Sequence, residues 1–134
     1  MKIKIFALTH KKFEVPQDKM YQPLQVGREE KEDLGYLCDN TGDNISAENC
    51  YYSELTGLYW IWKNVHTYKY VGTCHYRRYL LNEQEKIFTE AEYLKLLKDY
   101  DLITTKRVVL NNSYHYGFAT NHNIHALDMT GEVI

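Results

Sequence analysis

Two short segments constrain the fold of this chain more than any other feature. Residues 3–8 carry apolar side chains on both faces of an extended chain, and residues 71–74, at the end of a second predicted strand over 68–74, are small and apolar enough to run through a sheet. Strands of this kind are typical of the interior of a parallel sheet, which is covered by helices on both sides.

A helix is predicted between these strands, over residues 50–65. Its apolar side chains recur at the spacing of one buried helix face. The predicted core face consists of Leu55, Leu58, Tyr59, Trp62 and Val65.

A second helix is predicted over residues 88–100. Thr89 and Glu92 have the spacing of a capping box, and Phe88 and Tyr93 are placed for a hydrophobic staple around it. The apolar stripe of this helix continues through Leu94, Leu97 and Tyr100.

The remaining segments complete an α/β pattern. Residues 102–105 predict a third strand, 108–110 a short fourth strand, and 36–38 a brief pairing with the sheet. Most of 13–50 is predicted to be irregular because it contains prolines, glycines and turn-forming residues. This order predicts an α/β fold with a mostly parallel sheet in a single domain, 1–134. The last residues resemble the uncapped start of a helix, which favours a domain truncated at its C-terminus.

The composition narrows the classes of partner. The 16 basic and 18 acidic residues give a net charge of −2, so nucleic acid is not expected as a partner. Three cysteines without a Cys-x-x-Cys spacing indicate neither a disulfide framework nor a cysteine zinc site, and they favour a cytoplasmic setting. The N-terminal apolar run predicts a strand and not a signal peptide, and no segment approaches the roughly 20 apolar residues that span a bilayer.

Basic side chains follow both of the first two predicted strands. In an open α/β sheet, ligands bind at the carboxyl ends of the strands, and parallel strands bring these ends to the same edge. Planar guanidinium groups bind phosphate oxygens through paired hydrogen bonds, so Arg77 and Arg78 suit a diphosphate. The alternative is that both arginines form salt bridges with nearby glutamates. The basic side chains expected at this edge are His10, Lys11, Lys12, His75, Arg77 and Arg78.

The segment 39–44, Asp-Asn-Thr-Gly-Asp-Asn, has two interpretations. It is predicted to form a turn, because its residues favour turns and it lacks the full spacing of a calcium loop. Coordination of a divalent cation by Asp39 and Asp43 is the alternative. Asp43 and Asn44 could instead hydrogen-bond a ribose or sugar hydroxyl.

Histidines near the C-terminus form a separate candidate metal site. Residues 122 and 125 would share one face of a helix, although no clear acidic partner accompanies them. Together with the aspartates, they leave a metal-dependent hydrolase open as an alternative function. The three residues are His115, His122 and His125.

Several long stretches resemble one protein family. Residues 3–16 (IKIFALTHKKFEVP), 42–64 (GDNISAENCYYSELTGLYWIWKN), 70–80 (YVGTCHYRRYL) and 100–107 (YDLITTKR) closely resemble the bacterial family known as domain of unknown function 4422. Members of this family occur with genes for capsular and exopolysaccharide biosynthesis and are regarded as glycosyltransferases. The resemblance covers nearly the full chain and implies that it is the N-terminal, nucleotide-sugar-binding portion of such a domain.

The resemblance implies a GT-A-like (Rossmann-like) sheet and a hexosyltransferase type of activity. The implied donor is a nucleotide-diphosphate sugar, and the implied acceptor is a polysaccharide or a lipid-linked saccharide. The implied location is the cytoplasm, with peripheral association at the inner face of the membrane as an option. A catalytically inactive fragment that binds nucleotide is the alternative.

The resemblance also implies roles for particular residues. Many GT-A enzymes hold the donor diphosphate through a metal bound by an Asp-x-Asp motif at a strand end, but the strand over 68–74 runs into His75, Tyr76, Arg77 and Arg78 instead. We expect these four residues to bind the diphosphate without a required metal cofactor, because cationic side chains can neutralise leaving-group charge as a metal does.

Further donor-binding residues are implied at two other places, and no catalytic residue is predicted. Glu54, near the start of the first helix, is either a helix-terminal charge or a residue that reaches the site. The residues expected to bind the nucleotide or sugar are Thr9, His10, Lys11, Asp43 and Asn44.

Overall fold

The computed structural model describes residues 1–111 together with Ser113, Tyr114, Ala119, His125 and Met129. The chain divides into two compact units, Met1–Ile103 and Thr104–Ile134, and the sheet with its helices belongs to the first. The elements in chain order are β1 (Ile3–Thr9), β2 (Tyr21–Gln25), β3 (Leu37–Cys38), α1 (Asn49–Tyr52), α2 (Leu55–Asn64), β4 (Tyr70–His75) and α3 (Glu90–Leu96).

The four strands form one sheet in the order β3-β2-β1-β4, and every pairing is parallel. The predicted α/β fold with a parallel sheet and flanking helices is therefore confirmed. Helix α2 covers one face, where its buried side chains pack on Phe6, Leu8, Leu24 and Val26. Helix α3 covers the other face, where Tyr93 packs with Ile3, Ile5, Met20 and Tyr21.

Strand β2 lies in a region that the sequence predicts to be irregular, so that prediction is wrong here. Pro23 lacks an N–H and normally argues against a strand inside a sheet. The backbone N–H of Val26 donates to Thr9 of β1, so by alternation position 23 faces the β3 side. Strand β3 pairs only with Leu24 and Gln25, which leaves no ladder hydrogen bond for Pro23 to lose.

The core face predicted for residues 50–65 is wrong for Leu55, Leu58 and Trp62, whereas Val65 packs against the core as predicted. The side chains of Leu55, Leu58 and Trp62 are 55%, 48% and 66% exposed, whereas the buried residues are Thr56, Gly57, Trp60 and Ile61. Small residues turn towards the sheet because a Cβ atom at position 57 would lie only 2.6 Å from Val26 and 3.0 Å from Leu8. This close approach fixes the rotation of the helix, and apolar side chains that surround α2 cannot signal it.

The helical segment is interrupted as well. Ser53, between α1 and α2, has φ of 49° and ψ of −128°, which ends α1 and lets α2 begin anew after Glu54. Position 53 is therefore a break within the continuous helix that the sequence predicts.

Helix α3 begins as the sequence predicts. The side chain of Thr89 accepts a hydrogen bond from the Glu92 N–H, and the carboxylate of Glu92 accepts one from the Thr89 N–H at 2.8 Å. The rings of Phe88 and Tyr93 stack at 4.9 Å across this capping box. Tyr100, predicted to continue the apolar stripe, is instead exposed beyond the end of the helix.

The strands predicted over 102–105 and 108–110 are not formed. Leu102, Val108 and Val109 are largely exposed. A β-prone sequence becomes a strand only where a neighbouring backbone accepts its hydrogen bonds. Composition alone therefore overstated the tendency of these two segments to form strands. No helix in the described part of the chain is long and apolar enough to cross a membrane.

Candidate functional site

The carboxyl ends of β1 and β4 lie side by side. Leu8 is opposite His75 in the parallel register, and the N–H of Tyr76 donates to the Leu8 carbonyl at 3.1 Å. Residues 9–13 and 75–78 therefore meet at one edge of the sheet, which we call the rim. The sequence predicted this meeting from the two strand ends, and the parallel pairing confirms it.

Tyr76 is the centre of the rim. Its side chain is almost fully buried, and its ring contacts the rings of His10 and Phe13 at centroid distances of 5.6 and 5.7 Å. The guanidinium carbon of Arg77 lies 5.3 Å and the Lys11 ammonium 5.8 Å from the centre of the same ring. Cations at such distances are attracted by the electron-rich ring face, so Tyr76 holds two positive charges together.

A second ring extends this arrangement. Phe13 packs against Tyr36 with a centroid distance of 5.7 Å, and the Lys12 ammonium lies 5.1 Å from the centre of the Tyr36 ring. Three of the predicted basic residues, Lys11, Lys12 and Arg77, thus rest on aromatic faces. Among the residues that the structure describes, none of these three cations forms an ion pair.

The pKa of His10 reports the charge at the rim. It lies below the ordinary value of 6.5, first because of desolvation and then because of the positive charges of Lys11, Lys31, His75 and Arg77. A histidine disfavoured as a cation by this many neighbours occupies a site of positive potential. Such a site is electrostatically suited to an anionic ligand.

A tight turn follows β4. The His75 carbonyl accepts from the Arg78 N–H at 2.9 Å, and the His75 Nδ1 accepts from the Arg77 N–H at 3.2 Å. His75 Nε2 then lies 3.7 Å from Oε1 of Glu54, directly before α2. Glu54 therefore reaches the rim, which sequence spacing left undecided.

The two arginines differ in the structure. Arg77 lies over Tyr76, whereas no contact between Arg78 and the described residues places its side chain with the other rim cations. Neither arginine forms a salt bridge within the described ranges, so the alternative of pairing with nearby glutamates is not what this part of the structure contains. The binding of a diphosphate by residues 75–78 stays a prediction.

Thr9 has a structural task. Its side chain is buried, its hydroxyl donates to the Lys11 carbonyl at 2.6 Å, and its oxygen accepts from the Lys11 N–H at 3.1 Å. These bonds close the turn that carries Lys11 to Tyr76. Thr9 thus shapes the rim, and a direct contact between Thr9 and a nucleotide stays a prediction.

Within the described residues, the side chains of Asp43 and Asn44 make their contacts outside the rim, and their binding of a nucleotide or sugar stays a prediction. The Asp43 carboxylate accepts from the Tyr59 hydroxyl at 2.9 Å, and its backbone carbonyl accepts from the Asn64 side chain at 2.9 Å. These contacts reach the fifth and the last residue of α2, whereas Glu54 directly precedes the first residue of that helix and lies at the rim. The hydrogen bond to Asp43 also raises the pKa of Tyr59.

Asp39 is a buried structural carboxylate. It is fully inaccessible and accepts four hydrogen bonds, from the Gly27 and Arg28 N–H groups and from the hydroxyls of Ser46 and Thr56. Asp39, the first residue of the predicted turn over 39–44, therefore holds this turn against α2 through its hydrogen bond from Thr56. The four donors occupy both oxygens of this carboxylate, which disfavours the alternative of cation coordination.

One metal-binding pattern was missed in the sequence. Asp99-Tyr100-Asp101 is an Asp-x-Asp motif, but it follows α3 and not β4, where the pattern was sought. Both aspartates are exposed. The start of α3 lies at the edge of the sheet opposite to the rim. There Glu90 accepts a hydrogen bond at 2.8 Å from the N–H of Lys2, which directly precedes β1.

The described residues contain no group of three side chains able to hold a metal ion. Of the candidate histidines, His115 and His122 lie outside the described residues, and His125 is exposed. The alternative of a metal site at these histidines is therefore not tested by the described residues.

Comparisons with known proteins show what this chain is similar to. The chain is similar to the apo structure of WbbM, a bifunctional glycosyltransferase, with a TM-score of 0.56 and 42% sequence identity. This similarity covers 60% of the chain and 14% of the WbbM chain, so the chain spans only a small part of that protein. It supports the predicted GT-A-like character of the sheet. A comparison with curated proteins found no match. A profile of the family described as "Domain of unknown function (DUF4422)" matches residues 4–134, and the chain therefore belongs to the DUF4422 family.

Proposed function

We propose that this chain is the donor-binding part of a glycosyltransferase that transfers a sugar from a nucleotide-diphosphate donor to a capsular or exopolysaccharide acceptor. The observation that carries the proposal is the set of cations on Tyr76, at the end of a sheet that is similar in sequence and fold to a part of WbbM. The polysaccharide or lipid-linked acceptor would meet this protein in the cytoplasm, at the inner face of the membrane.

The rim cations have a defined role in this reaction. As the bond between the sugar and the diphosphate breaks, negative charge develops on the leaving phosphate, and fixed positive charges stabilise that charge. Arg77 can form paired hydrogen bonds with phosphate oxygens, while Lys11 supplies a point charge. We propose that these side chains perform the task that a divalent metal performs in many related folds, so that no metal cofactor is required.

Calorimetric titration with nucleotides tests the proposal. Uridine, guanosine, adenosine and thymidine diphosphates should be titrated into the chain, with the matching monophosphates to isolate the contribution of the second phosphate. A hydrogen bond to a charged group contributes about 1.5–3 kcal/mol, so Arg77→Gln should weaken diphosphate binding about 10- to 100-fold. Monophosphate binding should change much less.

Lys69 provides a matched control for Lys11. Its ammonium also lies over a tyrosine ring, 5.2 Å from the centre of Tyr70, but at the amino end of β4. Lys11→Gln should weaken diphosphate binding, whereas Lys69→Gln should leave it unchanged. Equal affinities for wild type, Arg77→Gln and Lys11→Gln would refute the proposal.

Chelation separates the cationic site from a metal site. In EDTA, diphosphate affinity should stay within about twofold of its value in buffer if side chains alone neutralise the ligand charge. A large loss in EDTA that Asp99→Asn reproduces would assign the diphosphate to a metal bound at the Asp-x-Asp motif instead.

A further inference from the structure

The pairing of Glu54 with His75 extends the chemistry of the rim from donor binding to catalysis. We infer that Glu54 is the general base that takes the proton of the attacking hydroxyl, and that His75 is a positioning residue that holds its carboxylate. This inference rests on the proposed function, because it assigns the base for the same transfer.

The carboxylate of Glu54 does not cap its own helix. Glu54 directly precedes α2 and forms no side-chain cap hydrogen bond, and its carboxylate lies near His75 instead. Its side chain is 52% exposed, and Oε1 lies 3.7 Å from His75 Nε2. A hydroxyl that arrives from solvent can therefore reach the Glu54 carboxylate, whose Oε1 faces His75 at the end of β4.

The orientation of His75 is fixed by the backbone. Its Nδ1 accepts from the Arg77 N–H at 3.2 Å, so the neutral ring carries its proton on Nε2, directed towards Glu54. The ring also packs against Tyr76 at a centroid distance of 4.4 Å. A histidine whose Nδ1 is engaged by the backbone and whose Nε2 faces a carboxylate 3.7 Å away can orient that carboxylate, and its engaged Nδ1 is not free to act as the base itself.

The backbone before Glu54 is strained. Ser53 has φ of 49°, a conformation that favours glycine, and it is held there because its carbonyl accepts from the Asn49 side chain at 2.7 Å and its N–H donates to the Asn49 carbonyl at 2.8 Å. Strain of this kind persists where the surrounding structure enforces it, and it is concentrated at functional sites. At Ser53 the strained conformation interrupts the helical segment, so that α2 begins after Glu54 and the Glu54 side chain reaches the rim.

The base and the rim cations lie against different rings of the rim. Glu54 lies against His75, whereas Arg77 and Lys11 lie over Tyr76, the next ring along the chain. In a displacement with inversion the attacking oxygen and the leaving oxygen occupy opposite sides of the sugar carbon, so the proposal places the sugar between Glu54 and the cations on Tyr76.

The proposed step is balanced as follows. The acceptor hydroxyl oxygen forms a bond with the anomeric carbon, and its proton passes to the Glu54 carboxylate. The bond from that carbon to the diphosphate oxygen breaks, and its electron pair leaves with the nucleoside diphosphate. Water in place of the acceptor gives hydrolysis of the donor by the same transfers, after which Glu54 releases its proton to solvent.

The test combines nucleotide affinity with turnover of a nucleotide sugar, using the whole chain, with water and with an added saccharide. General acid–base catalysis contributes about 10²- to 10⁴-fold, so Glu54→Gln should lower kcat by at least about 100-fold. Nucleotide affinity should stay within about twofold. Glu48→Gln is the matched control, because Glu48 also directly precedes a helix without capping it.

The positioning role of His75 is tested by comparing the kcat values of His75→Leu and His75→Gln. His75→Leu should lower kcat about 10-fold, because the base remains but loses its orientation. His75→Gln can still direct an N–H towards Glu54 and should retain most of the wild-type kcat. Equal losses in both variants would indicate a structural role only and would overturn the positioning assignment.

The possible failures are distinguishable. If no nucleotide binds, the proposed function fails and the catalytic assignment fails with it. If nucleotide binds but Glu54→Gln turns the donor over as wild type does, only the assignment of the base is overturned. The same holds if Glu54→Gln also abolishes nucleotide binding, or if the wild type binds the donor and transfers it neither to water nor to a saccharide.

Discussion

Replacement of Asp39 by asparagine is expected to destabilise the protein strongly, although the side chains have nearly the same size. The carboxylate is fully buried, and each of its oxygens accepts one backbone N–H: Gly27 at Oδ2 at 2.8 Å and Arg28 at Oδ1 at 3.1 Å. An asparagine amide must place its NH2 group at one of these two positions. In either orientation, one buried backbone N–H then faces another donor.

The magnitude follows from these contacts. An unsatisfied buried donor costs about 1–3 kcal/mol, and the remaining hydrogen bonds lose the strength that a charged acceptor gives them. We expect Asp39→Asn to lower the free energy of unfolding by about 3 kcal/mol, a large part of the total for a typical domain. With an m value of about 1.5 kcal/mol per molar urea, the unfolding midpoint should fall by about 2 M.

Urea denaturation followed by tryptophan fluorescence measures this difference. Trp60 is a suitable probe because it is buried, and its indole N–H donates to Thr41 in the same turn. Asp43→Asn is the control, because Asp43 belongs to the same turn but is exposed, and it should cost less than about 1 kcal/mol. If both variants shift the midpoint equally, the argument from buried donors is refuted.

Two further predictions concern helix packing and pH. Gly57→Ala should lower stability by about 1 kcal/mol in a thermal melt, because overpacking against Val26, 2.6 Å from the new Cβ, outweighs the higher helix propensity of alanine. Leu58→Ala, on the exposed side of the same helix, should cost less than about 0.5 kcal/mol, and a cost of 2 kcal/mol or more would contradict the observed helix rotation. The lowered pKa of His10 means that the folded state resists protonation, so stability should fall as pH decreases from about 6.5 through the folded pKa. His10→Asn should reduce this pH dependence in urea titrations, and the same pH dependence in wild type and His10→Asn would contradict the shift.

Local patterns in the sequence were sufficient for several elements. Strand β1 is apolar on both faces and β4 is predicted by its small apolar residues, and both are strands with the predicted parallel pairing. The capping box of Thr89 and Glu92 marks the start of α3 because it satisfies backbone groups within a few residues. The meeting of the two basic segments at the rim was predictable, because parallel strands end at the same edge.

Other features depend on contacts that no local pattern encodes. Strand β2 contains Pro23 and is stable because its neighbour β3 leaves that position unpaired. The apolar residues around α2 gave a helix but not its rotation, which the contact of Gly57 with the sheet decides. The segment over 102–105 shows the converse, because a β-prone sequence forms no strand without a partner.

The sequence by itself determined those strands and helices whose formation depends on a few neighbouring residues. It also determined that positive charge follows two strands. Only the tertiary structure decided that Asp39 is buried among four donors and that Glu54 reaches His75, 21 positions later in the chain. The physical reason is that hydrophobic periodicity and capping act within one or two turns of chain. Burial of a carboxylate, and the meeting of a base with the residue that orients it, depend on how distant segments pack.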